Sequence, residues 1–84
     1  DGNYRIAELV VEPENWIVGR SLAEMRLRDR GVLVLGVTRP DRSYEGAPGG
    51  DFVVRAGEVL IVYGLPDDVA ELDRARREHE APHD

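Results

Sequence analysis

The sequence predicts one small α/β domain in which short apolar strands alternate with two helices. Three observations predict it. Ser21-Leu22-Ala23-Glu24 is a capping box that opens a first helix. Val32 to Val37 and Val59 to Tyr63 are apolar runs of strand length, each bounded by turn residues. Pro66, with Asp67 and Asp68 after it, opens a second helix. The chain has 84 residues, enough for one domain and not two. A chain this short buries roughly 60% of its unfolded surface, so its core is thin. It has no cysteine, so neither a disulfide nor a thiolate metal site reinforces that core. Small domains without such staples often gain stability by associating, and a homodimer is the expectation.

The elements follow in order. Tyr4 to Val11 alternates imperfectly, with Ile6, Leu9, Val10 and Val11 apolar and Arg5 and Glu8 charged, and reads as a strand. Glu12-Pro13-Glu14-Asn15 is a turn, after which Trp16, Ile17 and Val18 lead back inward to the breaker Gly19. In the capping box the Ser21 hydroxyl accepts from the Glu24 amide, and the Glu24 carboxylate accepts from the Ser21 amide. The helix is expected to last about two turns. Leu22 and Met25 face the core, Leu27 joins them at the end, and Gly31 stops the helix. The near-continuous apolar run VLVLGV suits a strand buried on both faces, by its own helix on one side and a partner subunit on the other. Pro40 to Ser43 is a turn and Tyr44-Glu45-Gly46 a short return strand. Ala47 to Asp51 is a loop, and its Asp51 is a turn residue whose carboxylate can accept from nearby amides. Phe52 and Val54 re-enter the core, Arg55 to Glu58 is a tight turn, and the last strand ends at Gly64. In the final helix Val69 and Leu72 form a narrow apolar stripe, and Arg74, Arg76 and Arg77 lie near the negative end of its dipole. Trp16 and Tyr44 suit either the core edge or an interface; the core edge is the commoner place for such residues.

The charge is uneven. The net charge is −6 and every basic residue is an arginine. An acidic chain is repelled by nucleic acid and anionic lipid, which excludes both as primary partners. Yet residues 20–42 hold Arg20, Arg26, Arg28, Arg30, Arg39 and Arg42 against Glu24, Asp29 and Asp41, a local +3. Such a segment is either a solvated helix end with surface ion pairs or a site for a small anion. No stretch has the ~20 apolar residues of a membrane span, and no signal peptide is visible. Beginning at Asp1 without an initiator Met, the chain is expected to be an excised piece of a longer protein.

Catalytic chemistry is missing. Ser21 is used as a cap and Ser43 lies in a turn, so no nucleophile has a base beside it. His79 and His83 have helical metal spacing, but Pro82 interrupts the helix and no third ligand is fixed nearby. Gly46, Gly49 and Gly50 precede no helix and no Lys-Ser/Thr, so they are not a phosphate loop. Nothing here argues for an enzyme.

Four motifs stand in a fixed order: Gly19 to Arg28, Gly31 to Arg39, Pro48 to Asp51, and Ala56 to Gly64. Their order and spacing from about Ile6 to Leu72 resemble the C-terminal lobe of the regulator-of-potassium-conductance module, the TrkA C-terminal domain, with Glu58 where an Asp is usual. The resemblance implies an α/β lobe of the α+β kind: a mixed, mostly antiparallel sheet of four to five strands with two helices. It would occupy residues 1–78, leaving 79–84 as a disordered polar tail. It implies a non-catalytic regulatory domain of a cation transporter, channel or antiporter, with potassium the expected ion. The alternative is a purely structural dimerisation module. The implied partners are a second copy and a membrane transport protein, either the missing part of the same chain or a separate subunit. The implied location is the cytoplasmic face of a bacterial plasma membrane. No cofactor is certain; the effector the resemblance suggests is cyclic di-AMP or another small anion. On that pattern the Leu-Arg pair falls on Leu27 and Arg28; the local +3 segment adds Arg26 and Arg39 as secondary contacts. An Asn of the pattern falls near Leu33 and an Asp on Arg26, so the match to a cyclic di-AMP site is partial.

Overall fold

A computed structural model describes residues 3–77. The alternation at the start of the chain becomes β1 (Arg5–Val10), and the later apolar runs become β2 (Val32–Thr38) and β4 (Val59–Gly64), with β3 (Tyr44–Gly46) between them in sequence. They form one four-stranded sheet in the order β1-β4-β2-β3, antiparallel at every junction. The first helix, α1, spans Leu22–Met25, and the second, α2, spans Pro66–Arg76. The fold is therefore the expected α+β arrangement, with four strands. Trp16 to Val18 form turns and add no fifth strand. His79 and His83, and the expected polar tail, lie outside the described residues.

Strand alternation assigns the two faces. Leu9, Leu60, Val62 and Val37 point to the inner face and join Val11, Ile17, Leu22, Met25, Leu27, Val54 and Leu72 in one core. The outer face reads in three rows across β1, β4 and β2: Ile6, Tyr63 and Leu33; then Glu8, Ile61 and Gly36; then Val10, Val59 and Thr38. On β3, Gly46 and Tyr44 extend the second and third rows.

One expectation needs correction. The first helix has one α turn and not two. Arg26 adopts the left-handed conformation (φ 52, ψ 48), which ends α1, and a separate 3-10 turn follows over Leu27–Arg30. Capping-box chemistry acts only on the first turn and does not set helix length. Within the chain β2 is covered on one face, which leaves the other open to the partner subunit that the sequence reading expects. Val32 and Val37 are buried, but Leu33 is 42% exposed and Val34 and Leu35 are half-buried.

The end of α2 is tied to the far side of the sheet. Arg76 is buried; its Nη1 donates to the Val10 carbonyl at 2.6 Å and to Asn15 Oδ1 at 3.1 Å, while its Nε donates to Asp73 Oδ1 at 2.9 Å. Asn15 Oδ1 also accepts from the Glu12 amide, so one buried amide clamps the turn and the helix together. Trp16 Nε1 donates to the Ala75 carbonyl at 2.6 Å, capping one of the orphan acceptors of the last turn. Trp16 is thus a core-edge residue. Glu58 is buried and accepts the Arg55 amide, closing the tight turn before β4.

Candidate functional site

The left-handed break at Arg26 places the site. Ser21 caps α1 in full: its hydroxyl accepts from the Glu24 amide at 3.1 Å, and Glu24 Oε1 accepts from the Ser21 amide at 2.7 Å. Hydrogen bonding to the Glu24 carboxylate, first from the Ser21 backbone amide and then from the Ser21 side chain, holds the carboxyl below its ordinary pKa. Leu22, Met25 and Leu27 anchor this segment in the core. Arg26 and Arg28 flank the buried Leu27, and both are exposed. Gly31, left-handed at φ 80, then turns the chain into β2.

Between this segment and the first half of β2 lies a cavity of about 310 Å3. Its floor is apolar, from Leu22, Leu27, Val32, Leu33 and Val34; Pro48 and Gly50 close one side, and Arg26 and Arg28 are its only charged lining residues among those described. Arg26 Nε donates to Asp29 Oδ2 at 2.9 Å, an exposed pair worth only about 0–1 kcal/mol. Arg28 forms no ion pair among the described residues. Asp29 is taken by Arg26, and Glu24 by the Ser21 cap. Arg28 also borders a second, shallower depression with Tyr4, Leu33 and Tyr63.

Arg26, Leu27 and Arg28 therefore come together in one groove, and Arg39 does not join them. Arg39 lies at the far end of β2, where its Nη2 donates to Glu45 Oε1 at 2.5 Å and its guanidinium sits 5.9 Å from the Phe52 ring centroid. The lining residues that sequence reasoning left out of the site include Leu22, Val34 and Pro48. Leu22 and Val34 read as core and Pro48 as loop punctuation, and only their spacing to Leu27–Arg28 in three dimensions makes them walls. Leu33, where the resemblance calls for a polar group, is a wall of the groove. Among the described residues no group of His, Asp or Glu is arranged to hold a metal.

β2 borders this groove with an open edge. β4 pairs with it along its length, but β3 covers only Gly36 to Thr38, and the Ala47 amide reaches the Leu35 carbonyl. Among the described residues, Val32 to Val34 have a strand neighbour on one side alone.

A family model described as the TrkA-C domain matches residues 6–76. The chain is 29% identical over 73 residues to the Trk system potassium uptake protein trkA homolog 1 of Methanosarcina mazei. That match covers 87% of this chain and 17% of the relative, so the chain spans about a sixth of the curated relatives it resembles. Among solved structures, the RCK domain of GsuK superposes with a TM-score of 0.72 at 23% identity, over 87% of this chain and 16% of that one. The RCK C domain of the potassium transport protein KtrA, solved with cyclic di-AMP, gives 0.75 at 18% identity, over 84% and 81% of the two chains. The RCK_C domain dimer of S. agalactiae BusR, also with cyclic di-AMP, gives 0.75 at 18% identity, over 87% and 90%. At these identities the structural likeness establishes the fold. The family model covers most of the chain, and the chain belongs to the TrkA-C domain family.

Proposed function

We propose that this domain is a regulatory, non-catalytic lobe of a potassium transport system, which dimerises through the β2 edge and binds a small anionic effector beside it. The observation that carries the reading is the groove itself: two exposed arginines over an apolar floor, bordered by an open strand edge. Guanidinium groups suit phosphate by charge and by the geometry of their donors. At about 310 Å3 the groove is at the small end of ligand sites, which run to about 1,000 Å3. A two-fold axis near the β2 edge would bring two such grooves together and present each arginine twice, which fits a symmetric dianion. The potassium link is supported by the relatives' names, and cyclic di-AMP by the ligands of KtrA and BusR.

Arg28 is the main anion contact and Arg26 the secondary one, released from Asp29 when the ligand arrives. Arg39, held by Glu45, plays no part in the groove as it stands. Calorimetric titration of cyclic di-AMP and related nucleotides into the wild-type domain and Arg28→Ala tests this. The expected result is binding by the wild type and a loss of roughly tenfold or more in the variant, with folding unchanged. No heat with any nucleotide refutes the effector reading. The purely structural dimerisation module then stands in its place. Leu33 favours that second reading, because it supplies no hydrogen bond where a base would lie.

A further inference from the structure

The core uses one face of the sheet, and the described residues leave the other bare. Tyr4, Ile6, Val10, Leu33, Tyr44 and Tyr63 are exposed at 38–64%. The register places five of them on the outer rows, and Tyr4 joins by stacking on Tyr63 with ring centroids 5.2 Å apart. All three tyrosines of the chain are therefore on this side. Glu8 is the one charged residue in the rows. At roughly 200 Å2 per large side chain, the exposed fractions leave about 600 Å2 of apolar surface, the top of the range for a monomer.

We propose that this outer face packs sheet-on-sheet against a second copy of this chain. The area fits: two such faces brought together remove about 1,200 Å2 from water, the threshold of a specific protein interface. The charge fits as well. A lipid headgroup or nucleic-acid surface calls for a cluster of cations; the rows carry none, and Arg28 borders them at the Tyr4, Leu33 and Tyr63 corner, in a chain of net charge −6. A self-interface has to keep the two Glu8 carboxylates apart, and this selects its symmetry. A two-fold axis across the strands stacks Glu8 on Glu8. An axis along the strands lays the β1 side of one copy over the β3 side of the other, so that Glu8 meets the Gly46 end of its row. The second arrangement is the one proposed. It leaves the β2 edge free, so edge and face pairing together build a dimer of dimers.

Sedimentation of the intact domain at micromolar concentration tests the face, comparing wild type with Ile6→Lys/Tyr63→Lys. Both sites are exposed, and circular dichroism melting checks that the variant folds. The expected result is a halving of the assembled mass, from tetramer to dimer, or from dimer to monomer if edge pairing fails on its own. A wild-type monomer, or equal masses for the two proteins, overturns the face interface. A second measurement does not depend on a disruptive variant. The chain has no cysteine, so Ile61→Cys places a single thiol in the middle row near the proposed axis. A short bifunctional maleimide should join the two copies. Edge pairing alone holds the two β4 strands about 14 Å apart, three strand spacings, which a short spacer does not bridge. Failure to cross-link also overturns the proposal, and leaves the effector groove and its edge dimer to be judged by their own titration.

Discussion

Replacing Arg76 with alanine should cost this domain more than any other charge deletion on α2. The Arg76 residue is 9% exposed and its guanidinium donates to Val10, Asn15 and Asp73. Hydrogen bonds from a charged group contribute about 1.5–3 kcal/mol each, and acceptors left buried without a donor add their desolvation cost. The three contacts share one group and do not add. A loss of about 3 kcal/mol is expected, at the low end of the ~3–5 kcal/mol for breaking a buried ion pair. A domain of this size has a total stability of only about 4–12 kcal/mol, and the melting temperature should fall by roughly 12–24 °C. Arg74→Ala is the internal comparison. Its ion pair with Glu71 has both side chains more than half exposed and contributes about 0–1 kcal/mol. Urea unfolding at one fixed protein concentration measures both, because association couples to apparent stability. Arg76→Met keeps most of the apolar stem and separates lost packing from lost hydrogen bonds. If Arg76→Ala unfolds within about 0.5 kcal/mol of Arg74→Ala, the clamp argument is wrong.

The capping box should behave as a pH-dependent stabiliser. Ser21→Ala is expected to lose about 1 kcal/mol by urea unfolding. Glu24 has a lowered pKa in the folded state, from its hydrogen bonds to Ser21. Its contribution is therefore present above the unfolded carboxylate pKa and lost as pH falls through the lower folded value. The stability gap between wild type and Glu24→Gln should close in acid, and a gap unchanged at about pH 3 contradicts the assignment. Gly64→Ala should destabilise by about 1–3 kcal/mol, because a Cβ there would sit 2.8 Å from the Gly31 carbonyl oxygen and 3.4 Å from Val69 Cγ2. Thermal melting that shows no loss would mean that the β4–Gly31 contact is looser than its geometry.

The motifs that carry the family resemblance are local, and so is the physics behind them. A cap, a strand period and a glycine turn act over a few residues, so Ser21, Leu22, Met25, Leu27, Gly31 and the two apolar strands are legible from the string alone. The length of α1 is not. Met25 and Leu27 both reach the core although they stand only two positions apart, and the left-handed Arg26 between them, followed by the 3-10 turn, is what allows it. Arg76 reads as a dipole-matched surface charge, and only the approach of Val10 and Asn15, more than sixty residues earlier, makes it a buried clamp. The local excess of arginine is visible in the sequence, but its division is tertiary: Arg26 and Arg28 line the groove while Glu45 holds Arg39 at the other end of β2.

The sequence by itself determined the main strands, the starts of both helices and the class of domain, because each depends on contacts within a turn or on strand alternation. The tertiary structure decided the strand order β1-β4-β2-β3, the open edge of β2 and the bare outer face. The physical reason is the same for all three: pairing joins residues far apart in the chain, and hydrophobic burial is non-directional. An apolar residue such as Leu33 or Tyr63 carries no local mark of whether its own chain will cover it.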